Sequence, residues 1–458
     1  MEETDKKLLG SVTISQKIID ESKKDIHDVA GFKKKIEDYL TQNVTELLDV
    51  ILFGAIFLNS SDIHLEPEEN DARLRIRLDG ILQDVVFFDH ETYHHLMSRL
   101  KLISKLKLNI TNKPQDGRFT IALEDLLIEI RTSSLPAEYG ESVVMRILNP
   151  KSLIDLEDLG LRDDLLKTFQ KEITKPNGMI IVTGPTGSGK TTTLYAFLKK
   201  IQNPEIKIIT IEDPIEYHLK GVSQTQVDSE KGYTFADGLK SIVRQDPDVI
   251  LVGEIRDLET AKIGLQAALT GHLVLSTLHT NDAAGTIPRL VDLGADASSI
   301  APALKMAVAQ RLVRKVCKKC AVPGKPTARE LTEIKKGLKR LPKGVKVPDL
   351  EKMHIIRPKD GGCPACNFTG YRGRQGLFEA FLVDSEMEKF ILTDPPVSSI
   401  RELAIKKGMV TMYQSGLIDV ALGITTMEEV QRVVETEQEQ EAVEAVEAAE
   451  KKTNAEAK

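Results

Sequence analysis

The sequence predicts an α/β fold in which a parallel sheet is covered by helices on both faces. Apolar runs alternate with stretches of helical spacing in the middle of the chain, at 179–182, 206–211, 249–252 and 273–277. Alternation of this kind is typical of buried parallel strands joined by helices. The chain has 458 residues, which is enough for two or three domains that each bury a core.

A smaller α+β domain is predicted before this sheet, over residues 36–150. Apolar residues recur at helical spacing from Val44 to Asn59, which predicts an amphipathic helix. Apolar residues then alternate with arginines up to Leu78, and Asp79-Gly80 leads into a second run at 81–88, as in a β-hairpin. Further strand patterns lie at 119–123, 126–132 and 143–148.

The two ends of the chain lack a clear core-forming pattern. Residues 1–35 are polar, rich in lysine and weakly periodic, so we expect a short polar leader that holds one helix and no compact domain. Residues 436–458 are acidic with few apolar side chains, and we expect a disordered tail there.

The first of the predicted parallel strands leads into a phosphate-binding loop. Residues 184–191 fill every fixed position of the pattern G-x-x-x-x-G-K-[ST], and a helical stretch follows. In such loops backbone N–H groups surround the phosphates, the lysine reaches the β- and γ-phosphates, and the last hydroxyl can bind Mg²⁺. The alternative, a chance glycine-rich turn, is disfavoured by the flanking strand and helix. We predict a nucleotide site formed by Gly184, Pro185, Thr186, Gly187, Ser188, Gly189, Lys190, Thr191 and Thr192.

A loop of this type after a strand is typical of a RecA-like domain, which we place at residues 151–435. Hydrolysis of a nucleotide also needs a carboxylate near Mg²⁺ and water. Glu254 follows the 249–252 run and a glycine, so it could bind Mg²⁺ or polarise the attacking water. The alternative role, capping the next helix, is already available to Asp257 and Glu259. We name Glu254 a catalytic candidate and, with Thr191, a Mg²⁺ ligand.

Other polar residues follow the neighbouring strands. Glu212, Asp213 and Glu216 come after the 206–211 run, at the edge where ligands of open α/β sheets bind, and Glu212 is our second carboxylate candidate. His272 and His279 flank another strand and point to opposite faces of it, so we expect no shared metal.

His279 has two possible roles. It could act in catalysis or sense the γ-phosphate, or it could be a structural histidine, with Thr277 and Thr280 as plausible hydrogen-bond partners. We include His279 among the catalytic candidates.

All four cysteines fall into two C-x-x-C pairs, Cys317/Cys320 and Cys363/Cys366. In a reducing compartment this spacing predicts a Cys₄ zinc site, with free or redox-active thiols as the alternative. We place this zinc module at 312–376, as an excursion from the RecA-like domain with a loop-like basic region at 323–352. Basic residues around the pairs either offset the thiolate charge or form a solvated basic face: Arg311, Arg314, Lys315, Lys318, Lys319, Arg372 and Arg374.

Composition excludes several classes of protein. The longest apolar stretch, Val50 to Leu58, is far shorter than the roughly 20 residues of a membrane-spanning helix. The N-terminal residues carry no signal-peptide pattern, so we expect a cytoplasmic protein. The net charge of −7 gives no overall bias toward nucleic acid.

The order of the motifs resembles that of the secretion ATPases of type II secretion and type IV pilus assembly. In that family the Walker A, Asp box, Walker B and His box match GPTGSGKTTTLY, TIEDPIEY, RQDPDVILVGEIRD and TGHLVLSTLHTND of this chain. The segments SDIHLEP, RLDG, PQDGR and GESVVMRIL resemble the second N-terminal domain of the family, and the cysteine pairs resemble its zinc module. So many ordered motifs are far more specific than the phosphate loop alone.

The resemblance implies a hexameric motor that hydrolyses ATP with Mg²⁺, and it implies a PAS-like N-terminal domain. It also implies an inner-membrane platform protein as partner and a peripheral position on the cytoplasmic face of that membrane. Arg118 in PQDGR and Arg131 match positions that reach the nucleotide, so we add both to the catalytic candidates beside Lys190, Glu212, Glu254 and His279. Other motif arginines are Arg146, Arg244, Arg256 and Arg289, and a solvated surface role is the alternative for each arginine.

The sequence favours pilus or pseudopilus assembly over two other functions. Pilus retraction motors share the four boxes but, by resemblance, lack the four-cysteine module. A zinc-ribbon ATPase that binds nucleic acid would fit the basic surroundings of the cysteines, but only Phe368 and Tyr371 offer aromatic rings nearby. Secretion, pilus assembly and DNA uptake are not separated by the sequence.

Overall fold

The computed structural model describes residues 11–124, 126–339, 341–342, 344–351 and 353–434. The predicted tail at 436–458 and the first ten residues of the predicted leader lie outside this part of the chain. The chain divides into two compact units. The first contains residues up to Ser152 with Cys317–Cys320 and Pro358–Gly373, and the second contains Leu153–Val316, Ala321–Arg357 and the residues from Arg374 onward.

The first unit has a mixed α and β composition. Its elements in chain order are β1 (Ser11–Thr13), α1 (Gln16–Asp25), α2 (Val29–Glu37), α3 (Val44–Phe57), β2 (Asp62–Pro67), β3 (Ala72–Leu78), β4 (Ile81–Phe88), α4 (His90–Ile103), β5 (Gln115–Leu123), β6 (Leu126–Ala137) and β7 (Gly140–Leu148). The strands form one sheet in the order β1-β5-β6-β7-β2-β3-β4.

The predicted helix and hairpin of this unit are both present. Helix α3 matches the apolar stretch from Val44, and Asn43 caps it by accepting a hydrogen bond from the Thr45 N–H. Strands β3 and β4 pair antiparallel with Leu78 opposite Ile81. Asp79 and Gly80 have φ angles of 47° and 87°, as the tight turns of two-residue hairpins require.

The described part of the predicted leader belongs to the folded unit, so the expectation of a leader without a compact domain was wrong for residues 11–35. β1 pairs in parallel with β5, and Ile18, Ile26 and Phe32 are buried in the core. The reason is that the charges in this segment neutralise one another: the buried Lys35 ammonium lies 3.0 Å from Glu21 and 2.9 Å from Asp25. Because so many side chains are charged, the few apolar residues gave only a weak helical pattern.

The second unit contains the predicted parallel sheet. Its elements in chain order are α5 (Asp163–Glu172), β8 (Gly178–Thr183), α6 (Lys190–Ile201), β9 (Ile208–Glu212), β10 (Ser223–Gln226), α7 (Phe235–Val243), β11 (Val249–Val252), α8 (Leu258–Leu269), β12 (Leu273–Leu278), α9 (Thr286–Asp292), α10 (Ala297–Ala303), β13 (Leu304–Val316), β14 (Val322–Gly324), α11 (Ala328–Gly337), β15 (Ile355–Arg357), β16 (Tyr371–Leu382), α12 (Ser385–Ile391), α13 (Val397–Lys406), α14 (Met412–Ala421) and α15 (Met427–Val433). Short 3₁₀ helices lie at Leu156–Leu159 and Ser229–Lys231 in this unit, and at Pro150–Ser152 and Pro364–Cys366 in the first unit.

The main sheet of this unit has the order β10-β9-β11-β12-β8-β13-β16. Strands β10, β9, β11, β12, β8 and β13 run parallel, so their carboxyl ends share one edge. Alternate side chains of β8 pack into two different hydrophobic cores. Met179 and Ile181 belong to one core, and Ile180 and Val182 belong to the other. Burial on both faces explains why the predicted strands are continuous apolar runs.

Several features of this unit, among them strands β10 and β16, differ from the sequence prediction. Strand β13 was not predicted, because Lys305, Gln310 and Arg311 interrupt its apolar pattern. The region 323–352, expected to be loop-like, contains helix α11, whose start is fixed by a reciprocal capping box between Thr327 and Glu330. Within the described residues no helix is both long enough and apolar enough to span a membrane.

Candidate active site and metal centre

The phosphate-loop residues connect the carboxyl end of β8 to the first turn of α6. Gly189 caps α6 with a φ of 90°, a left-handed conformation that glycine adopts without strain. At Gly184 a side chain would have no room, because a Cβ there would lie 2.6 Å from the Gln310 carbonyl oxygen of β13. The nine predicted nucleotide-binding residues thus form one continuous loop and helix start, where backbone N–H groups and the helix dipole favour an anion.

Lys190 is folded over this loop. Its ammonium donates hydrogen bonds to the carbonyl oxygens of Gly184, at 2.8 Å, and Pro185, at 3.1 Å. Burial lowers the pKa of Lys190, the negative charge of Glu254 opposes this, and the positive charge of Arg311 lowers the pKa further. The charge of Lys190 is therefore held close to the loop, where phosphate oxygens would be its natural partners.

Glu254 follows β11 at the same edge of the sheet. Its half-buried carboxylate is paired with the Arg256 guanidinium and lies 3.4 Å from Nε2 of His279. The helix-capping alternative does not apply, since Asp257 caps α8 by accepting a hydrogen bond from the Thr260 N–H at 2.8 Å. The carboxylate is thus available for chemistry and is oriented by two basic side chains.

His279 follows β12, and its partner differs from those we expected. Thr277 donates its hydroxyl to the Gly253 carbonyl, and the Thr280 N–H donates to the Thr183 hydroxyl at 2.8 Å. The side chain beside His279 is instead Glu254. A sequence signal for this pair was present, because both residues follow adjacent parallel strands.

His272 lies at the opposite end of β12, where its Nδ1 is 3.0 Å from the Ala267 carbonyl oxygen. The two histidines are separated by the length of the strand. This placement agrees with a structural role for His272.

Glu212 is buried at the end of β9. Its carboxylate accepts hydrogen bonds from Thr210 at 2.6 Å, from Gln224 at 3.2 Å and from the Tyr195 hydroxyl of α6. Burial raises the pKa of Glu212, and these hydrogen bonds oppose the rise. Glu212 therefore connects β9 to α6, the helix that begins at the phosphate loop. The sequence analysis did not predict its hydrogen bond with Tyr195.

The neighbouring Asp213 is exposed and faces the Glu254 group, with its Oδ2 3.7 Å from Arg256. Of the acidic cluster after β9, Asp213 is thus the carboxylate linked through Arg256 to Glu254.

The predicted arginines of the first unit form a row across its sheet. Arg118 of β5 lies opposite Arg131 of β6, which in turn lies opposite Arg146 of β7. Directly opposed residues project from the same face of a sheet. The row continues to Asp62 of β2, whose carboxylate lies 3.2 Å from Nε of Arg146 and 3.4 Å from Nε of Arg77 in β3. Strand register brings these arginines together, which spacing along the chain did not indicate.

The four cysteine sulfurs form one cluster in the first unit, and all lie within 4.8 Å of one another. Sγ–Sγ distances are 3.9 Å for Cys317 to Cys363, 3.8 Å for Cys320 to Cys366, and 3.7 Å for Cys363 to Cys366. A tetrahedron of sulfurs about 2.3 Å from zinc has edges of about 3.8 Å, so these residues fit the ion.

The surroundings of the cluster also fit a metal-bound thiolate. The backbone N–H groups of Cys363 and Gly370 donate to Sγ of Cys366 at 3.2 and 3.3 Å. Two of the basic residues expected near the cysteines are bound elsewhere: Arg314 pairs with Glu429 at 2.6 Å, and Arg311 donates to the Asn281 carbonyl at 2.7 Å.

Comparison with known proteins identifies the family. The profile of the type II/IV secretion system proteins matches residues 38–432. The chain belongs to this family. The membership predicted from the ordered motifs is therefore confirmed.

Two relatives show the range of the family. The chain is 41% identical over 381 residues to the type IV pilus assembly ATPase PilB of Thermus thermophilus, covering 83% of this chain and 42% of PilB. It is 42% identical over 393 residues to the type II secretion system ATPase E of Vibrio cholerae, and the match covers 85% of this chain and 75% of that protein. The chain thus spans less than half the length of PilB.

Solved structures support the fold. A crystal structure of the pilus retraction motor PilT with bound ADP matches with a TM-score of 0.57 and 27% identity, over 85% of this chain and 97% of PilT. The ATPase DotB of Legionella pneumophila matches with a TM-score of 0.62 over 86% of this chain and 96% of DotB, and at 21% identity it is similar in fold alone.

Proposed function

We propose that this chain is a motor ATPase that couples ATP hydrolysis to the assembly of a pilus or pseudopilus, in type IV pilus biogenesis or type II secretion. One observation carries the proposal: the phosphate loop, the Glu254 carboxylate and His279 follow neighbouring parallel strands and share one edge of the sheet. Membership of the secretion family and 41% identity to a pilus assembly ATPase support the same function.

The predicted site residues at this edge of the sheet have different roles in the proposed hydrolysis of ATP. The loop N–H groups and Lys190 would bind the phosphates, and the Thr191 hydroxyl and the Glu254 carboxylate would hold Mg²⁺. When bound, Mg²⁺ offsets negative charge on the phosphates. Glu254 orients the attacking water and accepts its proton, while Arg256 and His279 keep the carboxylate in place.

The same proposal includes a bound zinc ion, a hexameric assembly and a partner protein. The four cysteines hold a structural zinc ion, for which their spacing and the N–H donors to sulfur are suitable. The first unit is a PAS-like domain, whose sheet places β2 beside β7. The chain acts as a homo-hexamer on an inner-membrane platform protein, at the cytoplasmic face of that membrane, and Arg118 and Arg131 approach the nucleotide.

Assembly is favoured over retraction or binding of nucleic acid. The cysteine cluster argues for the assembly type, because retraction motors by resemblance lack it. For nucleic acid, two basic residues near the cysteines are already bound to groups of this chain.

ATP turnover by the purified chain tests the proposal. Lys190→Ala should lower turnover by at least about 10²-fold, because the cation over the phosphates is lost while the loop backbone remains. The matched control is Lys199→Ala on the same helix, which removes only an exposed pair with Asp155 and should leave turnover unchanged. Substantial hydrolysis by a well-folded Lys190→Ala variant would exclude this site as the active site.

A further inference from the structure

The loop that follows His279 is bound at three consecutive residues by charged side chains from elements later in the chain. The Asn281 carbonyl accepts a hydrogen bond from Arg311 of β13 at 2.7 Å. Asp282 forms an ion pair with Arg401 of α13. The Ala283 N–H donates to Oε1 of Glu379 of β16 at 2.7 Å.

Glu379 has a second backbone donor. Its Oε2 accepts a hydrogen bond at 3.0 Å from the N–H of Met412, the first residue of α14. The side chain is only 2% exposed, and both carboxylate oxygens are used. One buried carboxylate therefore joins the loop after β12 to the start of α14, where the helix dipole favours negative charge.

The other end of the same loop lies in the nucleotide site. His279 is next to Glu254, and the Thr280 N–H bonds to Thr183 at the end of β8. Thr280 also donates its hydroxyl to the Asp282 carbonyl at 2.8 Å, which stiffens the turn between the two ends. A shift of Ala283 would consequently be transmitted over only a few residues to His279.

Burial of this carboxylate has a cost that an apolar residue in β16 would not have, since removing a charge from water is unfavourable unless the charge is paired. The contribution of Glu379 must therefore come from the groups that it holds in place. Those groups are the loop bearing His279 and the first turn of α14.

We propose that Glu379 is a positioning residue for ATP hydrolysis: it holds the 280–285 loop so that His279 stays against Glu254. The inference rests on the proposed ATPase function. It adds Glu379, which lies outside the sequence motifs, to the residues that affect the reaction. Glu379 would act through His279, since the hydrogen bonds of its side chain in the described residues go to Ala283 and Met412 and not to the nucleotide loop.

The substitution Glu379→Gln tests this role. A glutamine has one carbonyl oxygen, so its NH₂ group faces one of the two N–H donors and one hydrogen bond is lost. We expect kcat to fall on the order of 10- to 100-fold, because small misplacements near the reacting groups have effects of this size. The affinity for a fluorescent ADP analogue should stay within about twofold, since the phosphate loop is not altered.

Asp419→Asn is the matched control. Asp419 is another buried carboxylate of the second unit, in α14, and burial raises its pKa to about 7, as it does that of Glu379. It makes no contact with the 280–285 loop among the hydrogen bonds and ion pairs of the described residues. A general loss of core stability would affect both variants, whereas a positioning role predicts a loss of kcat in Glu379→Gln alone.

The pH dependence gives a second readout. The pKa of Glu379 is raised to about 7: burial and the negative charge of Asp282 raise it, whereas the N–H donors of Ala283 and Met412 and the positive charge of Arg401 lower it. Asp282 and Arg401 are the charged side chains that act most strongly on this pKa. Above pH 7 the wild type has the carboxylate and should exceed Glu379→Gln, whereas below pH 7 both side chains are neutral. The ratio of their kcat values should therefore fall toward 1 as the pH decreases through 7.

The outcomes separate the two proposals. If the wild type does not hydrolyse ATP, the proposed function fails. If the wild type is active and Glu379→Gln has the same kcat and pH profile, the positioning role is wrong. If Glu379→Gln does not fold, Arg401→Gln replaces it: this change removes the positive charge that lowers the pKa of Glu379, so the fall in kcat with decreasing pH should begin at a higher pH than in the wild type, and an unchanged pH profile overturns the inference.

Discussion

Glu254 is held between the Arg256 guanidinium and the His279 imidazole, with no helix-capping duty of its own. The variant Glu254→Gln should retain nucleotide binding and lose turnover, because the amide keeps the shape of the side chain but cannot take a proton from water. We expect a loss of kcat of about 10²- to 10⁴-fold, measured beside the affinity for a fluorescent ATP analogue.

The control for this change is Glu259→Gln, in the first turn of the adjoining helix α8. Glu259 forms an exposed pair with Lys240, so its loss should leave turnover unchanged. The role assigned to Glu254 is contradicted if nucleotide affinity collapses in Glu254→Gln while turnover per bound ATP remains normal.

At the scale of elements, β13 runs from the phosphate loop directly to the first cysteine pair. Gln310, opposite the loop, is followed six residues later by Val316, and Cys317 comes next. Between β15 and β16, around the second cysteine pair, the one helical element of the described residues is the 3₁₀ turn at Pro364–Cys366. A metal ion would therefore supply much of the order in this segment.

The corresponding prediction concerns metal content. The wild type should contain one zinc ion per chain, and Cys317→Ser should lower both zinc content and Tm, since a Cys₄ site contributes folding free energy directly. Elemental analysis and thermal unfolding measure the two effects. Lys318→Ser, an exposed change between the two cysteines, should retain zinc. A metal-free wild type with four titratable thiols and full ATPase activity would contradict the zinc site.

At the scale of the whole molecule, the candidate groups are divided between the two units. The arginine row of Arg118, Arg131 and Arg146 belongs to the first unit, whereas Lys190 and Glu254 belong to the second. We propose that neighbouring chains complete each other's sites, as head-to-tail assembly in a ring allows. Activity per chain should then rise with protein concentration as hexamers form.

Mixing of inactive variants tests this sharing. Arg118→Ala and Lys190→Ala should each be inactive, and a mixture should recover part of the activity, because one chain offers an intact loop and the other an intact arginine. Turnover is measured after co-assembly is shown by light scattering. The control replaces Arg118→Ala by the double variant Arg118→Ala/Lys190→Ala, which supplies no intact loop and should restore nothing. Failure of every mixture despite co-assembly favours a site built within one chain.

The sequence alone determined the features that depend on neighbouring residues. The phosphate loop, the β3–β4 hairpin with Asp79-Gly80 and the buried strands β8, β9, β11 and β12 follow from short-range patterns of glycine, turn residues and apolar runs. The grouping of the four cysteines into one site and the membership of the chain in its family also follow from the order of the residues.

Only the tertiary structure decided which distant residues meet. The bond from Tyr195 to Glu212 and the bond from the Ala283 N–H to Glu379 join segments separated by up to about a hundred residues. The arginine row and the folding of residues 11–35 similarly depend on strand pairing and on burial of neutralised charges. Register and packing arise from contacts across the whole core, so the local pattern of a polar side chain does not indicate its partner.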